Sequence, residues 1–387
     1  MSELQELIQK LCPDGVEYKK LGDKQVSIMQ RGTSLTKNNS TEGAYPVISG
    51  GRVPAFYCDK FNREGETITV AGSGAGAGYV QYWNEPIFVC DAFSIKGCEN
   101  VSTKYLYYCL TNVQDKIYAT KKGGGVPHVH ISSIENFLIP IPHPAIQEEI
   151  VKILDRFADY AAELQAELQA RQEQYEYYRN KLLSFNSINR GGYASVTWMK
   201  MSEIGDICMC KRIMKDQTNN IGGIPFYKIG TFGKVADAYI SRELYEDYKS
   251  RFSFPIKGEI LISASGTIGR TVVYDGKDAY FQDSNIVWLH NDEAKVLNRY
   301  LYHYYQIIEW NVEGGTIKRL YNNNLAKTKI AVPSLSEQER IVSILDKFES
   351  LTNDLSQGLP AEIAAVQEQY EYYRDKLLSF PRNKISA

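Results

Sequence analysis

Two stretches of the 387-residue chain carry the side chains best suited to polar recognition. KKGGGVPHVH, Lys121 to His130, sets two lysines and two imidazoles beside flexible glycine backbone; EGGTIKRLYNNN, Glu313 to Asn324, offers Lys318, Arg319 and a run of asparagines including Asn322 and Asn323. Cationic groups hold phosphate oxygens, and Arg, Asn and His match donors and acceptors on base edges. The bland reading of each stretch is a solvated basic loop. His128 and His130 could ligate a metal, but with no third ligand in view they read as polar loop residues. Two glycine-rich turns add hydroxyls and a cation: GSGAGAG (Gly72 to Gly78) with Ser73, and SASGTIGRT (Ser263 to Thr271) with Ser265, Thr267 and Arg270.

GSGAGAG also satisfies a loose GxGxxA pattern, and Asp91 lies at a passable distance for a ribose carboxylate. A dinucleotide or S-adenosylmethionine site needs a helix N-terminus aimed at the ligand. Here the following YVQYW alternates like a strand, so both glycine-rich segments read as strand-to-strand turns. GxxxxGK[ST] and a Pro-Pro-aromatic methyltransferase motif are both missing from the sequence. No catalytic, cofactor-binding or metal-ligating residue is therefore assigned.

The elements that must position these residues recur. ETITVAG, PIFVC, EILISA, RTVVYD and NIVWLH are short, β-branched and aromatic, bounded by turn residues, and read as strands. Lys104 to Tyr118 and Arg299 to Val312 read as amphipathic helices in matching places. QEQYEYYRNKLLSF, Gln172 to Phe185, returns as QEQYEYYRDKLLSF, Gln367 to Phe380, and QEEIVKILDRF (Gln147 to Phe157) answers QERIVSILDKF (Gln338 to Phe348). A period near 195 residues is too long for a solenoid and marks a duplicated half-protein.

Apolar residues in these repeated ends fall at heptad spacing. In the first copy they are Ile150, Leu154, Phe157, Ala161, Leu164, Leu168, Tyr175, Tyr178, Leu182 and Phe185. In the second they are Ile341, Leu345, Phe348, Thr352, Leu355, Leu359, Ile363, Val366, Tyr370, Tyr373, Leu377 and Phe380. The second series contains a four-residue stutter beside Gly358 and Pro360, where a helix kinks or breaks. The tyrosines could stack on bases, yet their spacing favours the seam. The layout is a strand-rich module at 1–145, a helix at 146–185, a polar linker at 186–195, a second module at 196–335 and a second helix at 336–381.

Composition limits the alternatives. Seven scattered cysteines read as reduced thiols. The opening residues hold no signal-like apolar run, and no stretch is long enough to span a membrane, so a cytoplasmic protein is expected. The whole chain carries −2, whereas the two helical segments carry −3 and −5, leaving +6 on the remainder. This distribution suits modules that face a polyanion, although ordinary solvated helix charge would give it too.

A chain that alternates variable module and repeated helix resembles the specificity subunit of type I restriction-modification systems. The resemblance covers essentially the whole chain and rests on IPIPHPAIQEEIVKILDRF and IAVPSLSEQERIVSILDKF, on the Leu21–Asp23 and Ile204–Asp206 segments, and on the glycine-rich loop before each helix. It implies an α+β fold with pseudo-two-fold internal duplication: two target-recognition domains separated by two long helices packed as an antiparallel coiled coil. Each domain would read one half of a bipartite site on double-stranded DNA. Catalysis would lie on partner methyltransferase subunits, two by the repeat, which bind S-adenosylmethionine, and restriction subunits would join for cleavage. The rival readings are an S-adenosylmethionine-dependent methyltransferase built on Gly72 to Gly78 and a purely structural coiled-coil protein.

The tandem AELQAELQ, Ala162 to Gln169, gives this implication a test. A third AELQ copy lengthens a helix by about 6 Å and rotates its end by roughly 40°. The half-sites should stay the same while the gap between them grows by one or two base pairs, at about 3.4 Å per pair. Mapping methylated adenines in cells carrying the variant checks this; intact half-sites with an unchanged gap would show that the helix is not the ruler.

Overall fold

The computed structural model describes residues 3–185, 196–315 and 318–383; the linker expected at 186–195 lies outside them. Tertiary contacts divide the chain into two units, Met1–Gln165 with Glu362–Ala387, and Ala166–Ala361. Each unit contains one strand-rich module and parts of both helical segments.

The first module comprises α1 (Glu3–Leu11), β1 (Glu17–Lys20), β2 (Ser27–Arg31), β3 (Tyr45–Ile48), β4 (Phe56–Cys58), β5 (Thr67–Ala71), β6 (Val80–Trp83), β7 (Phe88–Val89), β8 (Ala92–Gly97), α2 (Thr103–Asn112), α3 (Gln114–Ala119), α4 (Ile131–Ile134) and β9 (Leu138–Ile141). Next comes α5 (Pro144–Leu183), an unbroken helix of 40 residues, about 60 Å long. The second module comprises β10 (Thr197–Lys200), β11 (Asp206–Cys208), β12 (Ile224–Tyr227), β13 (Tyr239–Ile240), α6 (Arg242–Arg251), β14 (Ile260–Ser263), β15 (Thr271–Val273), β16 (Tyr280–Phe281), β17 (Ile286–His290), α7 (Asn298–Tyr305), α8 (Asn322–Lys327) and β18 (Lys329–Val332), followed by α9 (Leu335–Asn353) and α10 (Leu359–Leu377).

The duplication extends to strand order. The sheets β1-β9, β2-β8-β5-β6 and β4-β3-β7 have counterparts in β10-β18, β11-β17-β14-β15 and β13-β12-β16. The pairs β3–β7 and β12–β16 are parallel, and every other strand pair is antiparallel. The interior strands β5 and β14 are buried along their whole length, which accounts for TITVA and ILIS being nearly all apolar or β-branched. The helix expected over Arg299 to Val312 stops at Tyr305. Beyond it the chain seats Trp310 against Gly269, where an added Cβ would lie 2.4 Å from the indole Nε1.

The second helical segment breaks at the expected stutter, between α9 and α10. Asp354 follows α9, and its Oδ1 accepts from the backbone of Ser356 (2.7 Å) and Gln357 (3.2 Å) and from the Ser356 hydroxyl (2.6 Å). These bonds form a local turn that competes with helix. Leu355 sits in that turn at 83 % exposure, so its expected place on the helix–helix seam is incorrect.

Most other seam residues are covered, but by two kinds of neighbour. Ile150 and Leu154 join the first module's core with Tyr105, Leu106 and Ile139, and Ile341 and Leu345 join the second module's core with Tyr300 and Leu301. Helix meets helix farther along. In the first unit Phe157 packs on Tyr370 and Tyr373 (ring centroids 6.5 and 5.5 Å), while Tyr160 donates to Glu362 (2.6 Å). One helix ascends as the other descends, so the pair is antiparallel there. In the second unit Tyr175 and Tyr178 meet Phe348 at 6.5 and 5.6 Å. Leu164 is buried and Leu168 half-buried; Leu182 and Leu377 are half-buried beside fully covered Leu183 and Leu378.

The repeated phrase docks crosswise. Tyr175 and Arg179 of α5 reach α7 of the second module: the Tyr175 hydroxyl lies 3.2 Å from His303 Nδ1, and Arg179 donates to Gln306 (2.8 Å). Their copies Tyr370 and Arg374 on α10 reach the first module, where Arg374 donates to Asn112 (2.9 Å) and Tyr370 packs on the core. The module helices also meet the helix that follows each module. Lys104 pairs with Asp155 (2.8 Å) and the Tyr108 hydroxyl donates to the same carboxylate; in the second unit Arg299 and His303 both contact Asp346 at 2.7 Å. His303 Nε2 faces a carboxylate and so carries the ring proton, which leaves Nδ1 to accept from Tyr175. Burial holds the imidazole below its ordinary pKa despite Asp346.

A His held neutral in the folded state binds its proton more readily when unfolded, so its contribution to stability is full above about pH 6.5 and declines as pH falls. His303→Tyr installs the residue that occupies this place in the first module. Thermal melts between pH 7 and pH 5 should show a smaller loss of melting temperature for the variant than for the parent; an equal loss would assign the dependence to other groups.

Candidate nucleic-acid interface

In the first module the β5–β6 hairpin is closed by the Gly72–Gly78 turn, with Thr67 opposite Trp83 and Val70 opposite Val80. The glycines are there for the backbone. A Cβ at Gly76 would lie 2.4 Å from the Gly50 carbonyl, and Gly78 has φ +84°. The turn is tied to the Lys121–His130 loop by Gly74 N–H to Pro127 O and Val129 N–H to Gly72 O, both 3.0 Å. Within that loop Lys122 and His128 exchange both backbone bonds at 3.0 and 2.8 Å. Ser73 is thus bridged to His128, and its hydroxyl donates to Asp91, just before β8.

The second module repeats the device with other side chains. The turn between β14 and β15 is tied to the 313–320 segment by Leu320 N–H to Ala264 O (2.9 Å), and Glu313 and Arg319 exchange backbone bonds at 3.0 and 2.8 Å. Ser265 is bridged to Arg319, and its hydroxyl donates to Asn285 Oδ1 (2.8 Å), just before β17. Ser73, Asp91 and His128 therefore correspond to Ser265, Asn285 and Arg319.

A concave polar surface opens beside each bridge. In the first module it has a volume of about 190 Å³, with Arg31, Asp91, His128 and His130 in its lining; the two imidazoles stack with centroids 6.0 Å apart. In the second it is about 550 Å³ and includes Arg212, Lys215, Lys228, Asn285 and Arg319. Arg212 pairs with Asp283 (2.9 Å) and Lys228 with Asp237 (2.8 Å).

The sequence candidates divide accordingly. His128, His130 and Arg319 line the cavities, and Ser73 and Ser265 brace them. Lys122 and Lys318 are exposed on the loops, while the Lys121 ammonium sits 4.2 Å over the Tyr118 ring. Arg270 turns away, donating to the Phe232 carbonyl (3.0 Å) and Thr267 Oγ1 (3.4 Å), and neither it nor Thr267 is in the cavity lining. Asn322 and Asn323 open α8, also outside that lining; the neighbouring Asn324 is structural, donating to Asn311 O and Glu313. Sequence reasoning missed Arg31, Arg212, Lys215 and Lys228. The cluster KRIMK, Lys211 to Lys215, is the signal that could have found two of them. The group His303, Asp346 and Glu349 lies close enough for a metal ion, but Arg299 already contacts both carboxylates.

The model of the type I restriction modification DNA specificity domain matches the chain twice, over residues 13–174 and 195–365. The chain belongs to this family. A putative type I restriction enzyme specificity subunit of Haemophilus influenzae is 45 % identical over 380 residues, covering 94 % of this chain and 96 % of that protein. The specificity subunit of the EcoR124I/EcoR124II type I restriction enzyme of Escherichia coli is 33 % identical over 317 residues, 74 % of each chain. The fold is shared with the crystal structure of a type I restriction-modification S subunit from M. genitalium (TM-score 0.61, 17 % identity, 94 % of this chain and 96 % of that one). It is shared too with a chain from a study of assembly and conformational transition in the type I system (TM-score 0.58, 19 % identity, 95 % and 98 %). Among the described residues no helix is long and apolar enough to cross a membrane.

Proposed function

We propose that this chain is the DNA sequence-specificity subunit of a type I restriction-modification complex and carries no catalytic group of its own. Each module reads one half of a bipartite duplex target through its polar concave surface. The helices set the spacing of the two halves and dock methyltransferase subunits, two by the internal repeat. Those partners bind S-adenosylmethionine, restriction subunits join them, and the complex works in the cytoplasm. The observation that carries this reading is the recurrence, at one place in two copies of one topology, of a polar concavity that holds an arginine and is braced by a Ser from a glycine-rich turn. A surface meant only to pack against protein has no reason to keep that frame while changing its side chains.

Exchanging residues 1–140 for the module of a related specificity subunit should change one half of the recognised site and leave the other alone, provided Lys104, Tyr108 and Asn112 keep their helix contacts. Independent modules make independent base contacts, and methylated-adenine mapping that finds both halves altered would contradict the assignment. The loop lysines should behave differently. Lys121→Ala with Lys122→Ala should weaken DNA binding by the assembled complex about equally on all sequences, since phosphate contacts carry little sequence information. The slope of log affinity against log salt should flatten by roughly 0.9 for each phosphate that is no longer neutralised; an unchanged slope would place these lysines off the DNA.

A further inference from the structure

Ser284 and Glu293 are the non-glycine residues with positive φ among the described residues. Glu293 follows an ordinary side-chain turn, with its N–H on Asn291 Oδ1 at 3.1 Å. Ser284 lies in the lining of the second module's cavity. At φ +50° it is the centre of a three-residue turn, with Asn285 N–H on Asp283 O at 2.5 Å, and holds a left-handed backbone conformation that serine rarely adopts. Strain of this kind persists only where surrounding contacts impose it, and it concentrates at functional sites.

The side chain that grips Ser284 itself is Arg319, while Asn285 is also held by Ala264 N–H on its carbonyl at 2.7 Å. One guanidinium nitrogen donates to both the carbonyl oxygen and the hydroxyl of Ser284, each at 2.8 Å. The residues either side of Ser284 both contribute polar groups to the cavity. Asp283 fixes Arg212, and Asn285 accepts from Ser265 through Oδ1, which leaves its two amide hydrogens for acceptors on a base edge. In the first module the place of Ser284 is taken by Cys90, whose Sγ accepts from Leu35 N–H at 3.3 Å, and the place of Arg319 by His128, so that module does without a guanidinium clamp.

We propose that Arg319 is a positioning residue for specificity: its guanidinium holds the left-handed turn at Ser284, and the turn aims Asn285 and Arg212 at the DNA half-site of the second module. The inference rests on the DNA-reading function above and departs from the sequence expectation that Arg319 itself contacts DNA.

The test uses the complex of the full chain with its methyltransferase subunits. The probe is duplex carrying the site mapped in cells for the parent protein, altered in one half at a time; module exchange tells which half belongs to the second module. Arg319→Ala should lower discrimination in that half by roughly tenfold, the order expected when a strained backbone conformation is released. The other half and the salt slope should be unchanged. Adding Ser284→Gly, which occupies positive φ without strain, should restore most of that discrimination. A uniform weakening on all sequences with a slope flattened by roughly 0.9 would make Arg319 a phosphate contact and overturn the proposal. So would failure of the glycine variant to rescue, no change in Arg319→Ala, or loss of both halves together with a lowered melting temperature. A parent complex that methylates and binds without sequence preference would instead refute the DNA-reading function itself.

Discussion

The structure depends on one docking contact made twice: a tyrosine and an arginine one helical turn apart, set against the helix that closes the sheet of each module. Tyr175 and Arg179 make it with His303 and Gln306; Tyr370 and Arg374 make it with the first module's core and Asn112. Because α5 supplies the contact to the second module and α10 supplies it to the first, each module is held by a helical segment that follows the other one in the chain. That arrangement requires the two phrases to be near copies. Each must fit a module helix of the same design, Lys104-Tyr-Leu-Tyr-Tyr or Arg299-Tyr-Leu-Tyr-His, whose next face already engages Asp155 or Asp346. A change to the partner of Tyr175 would leave its buried hydroxyl short of a hydrogen bond, which costs more than the bond itself contributes.

The two polar concavities proposed as recognition surfaces follow a different rule. Their frame is backbone: the turn after β5 or β14 is tied to the loop before α4 or α8 by main-chain hydrogen bonds that do not depend on side-chain identity. The side chains on that frame are therefore free to diverge, as His128 and Arg319 have done at equivalent positions. The second module uses that freedom further, adding α6 and the strained Ser284 turn, neither of which has a counterpart in the first. Rigid attachment with variable lining is a sound physical basis for a reader whose target must change while its partners stay the same.

The two helical segments share a seam but differ in continuity. Helix α5 is unbroken, whereas the second segment is interrupted where Asp354 captures the backbone of Ser356 and Gln357 and where Gly358 sits so close to Ser350 that a Cβ would lie 2.6 Å from its carbonyl. The extra residues between the two repeated blocks thus form a turn that exposes Leu355, not an extra helical turn.

By itself the sequence determined the α+β class, the duplication, most strands and both long helical segments, and it marked the two loops proposed here to carry recognition. These are written in local chemistry: β-branched runs, heptad spacing, glycine at tight turns, and a fourteen-residue phrase used twice. Tertiary structure alone decided which module each phrase serves, since crosswise docking depends on how the chain returns on itself and not on spacing. It also decided that Ile150 and Ile341 belong to module cores, that Arg270 faces Phe232 and not the second module's cavity, and that Arg31 lines the first module's cavity and Arg212 the second's. Period and propensity report which face of an element is apolar. They do not report which neighbour covers that face, because a cation on a loop is placed by backbone contacts made from residues far along the chain.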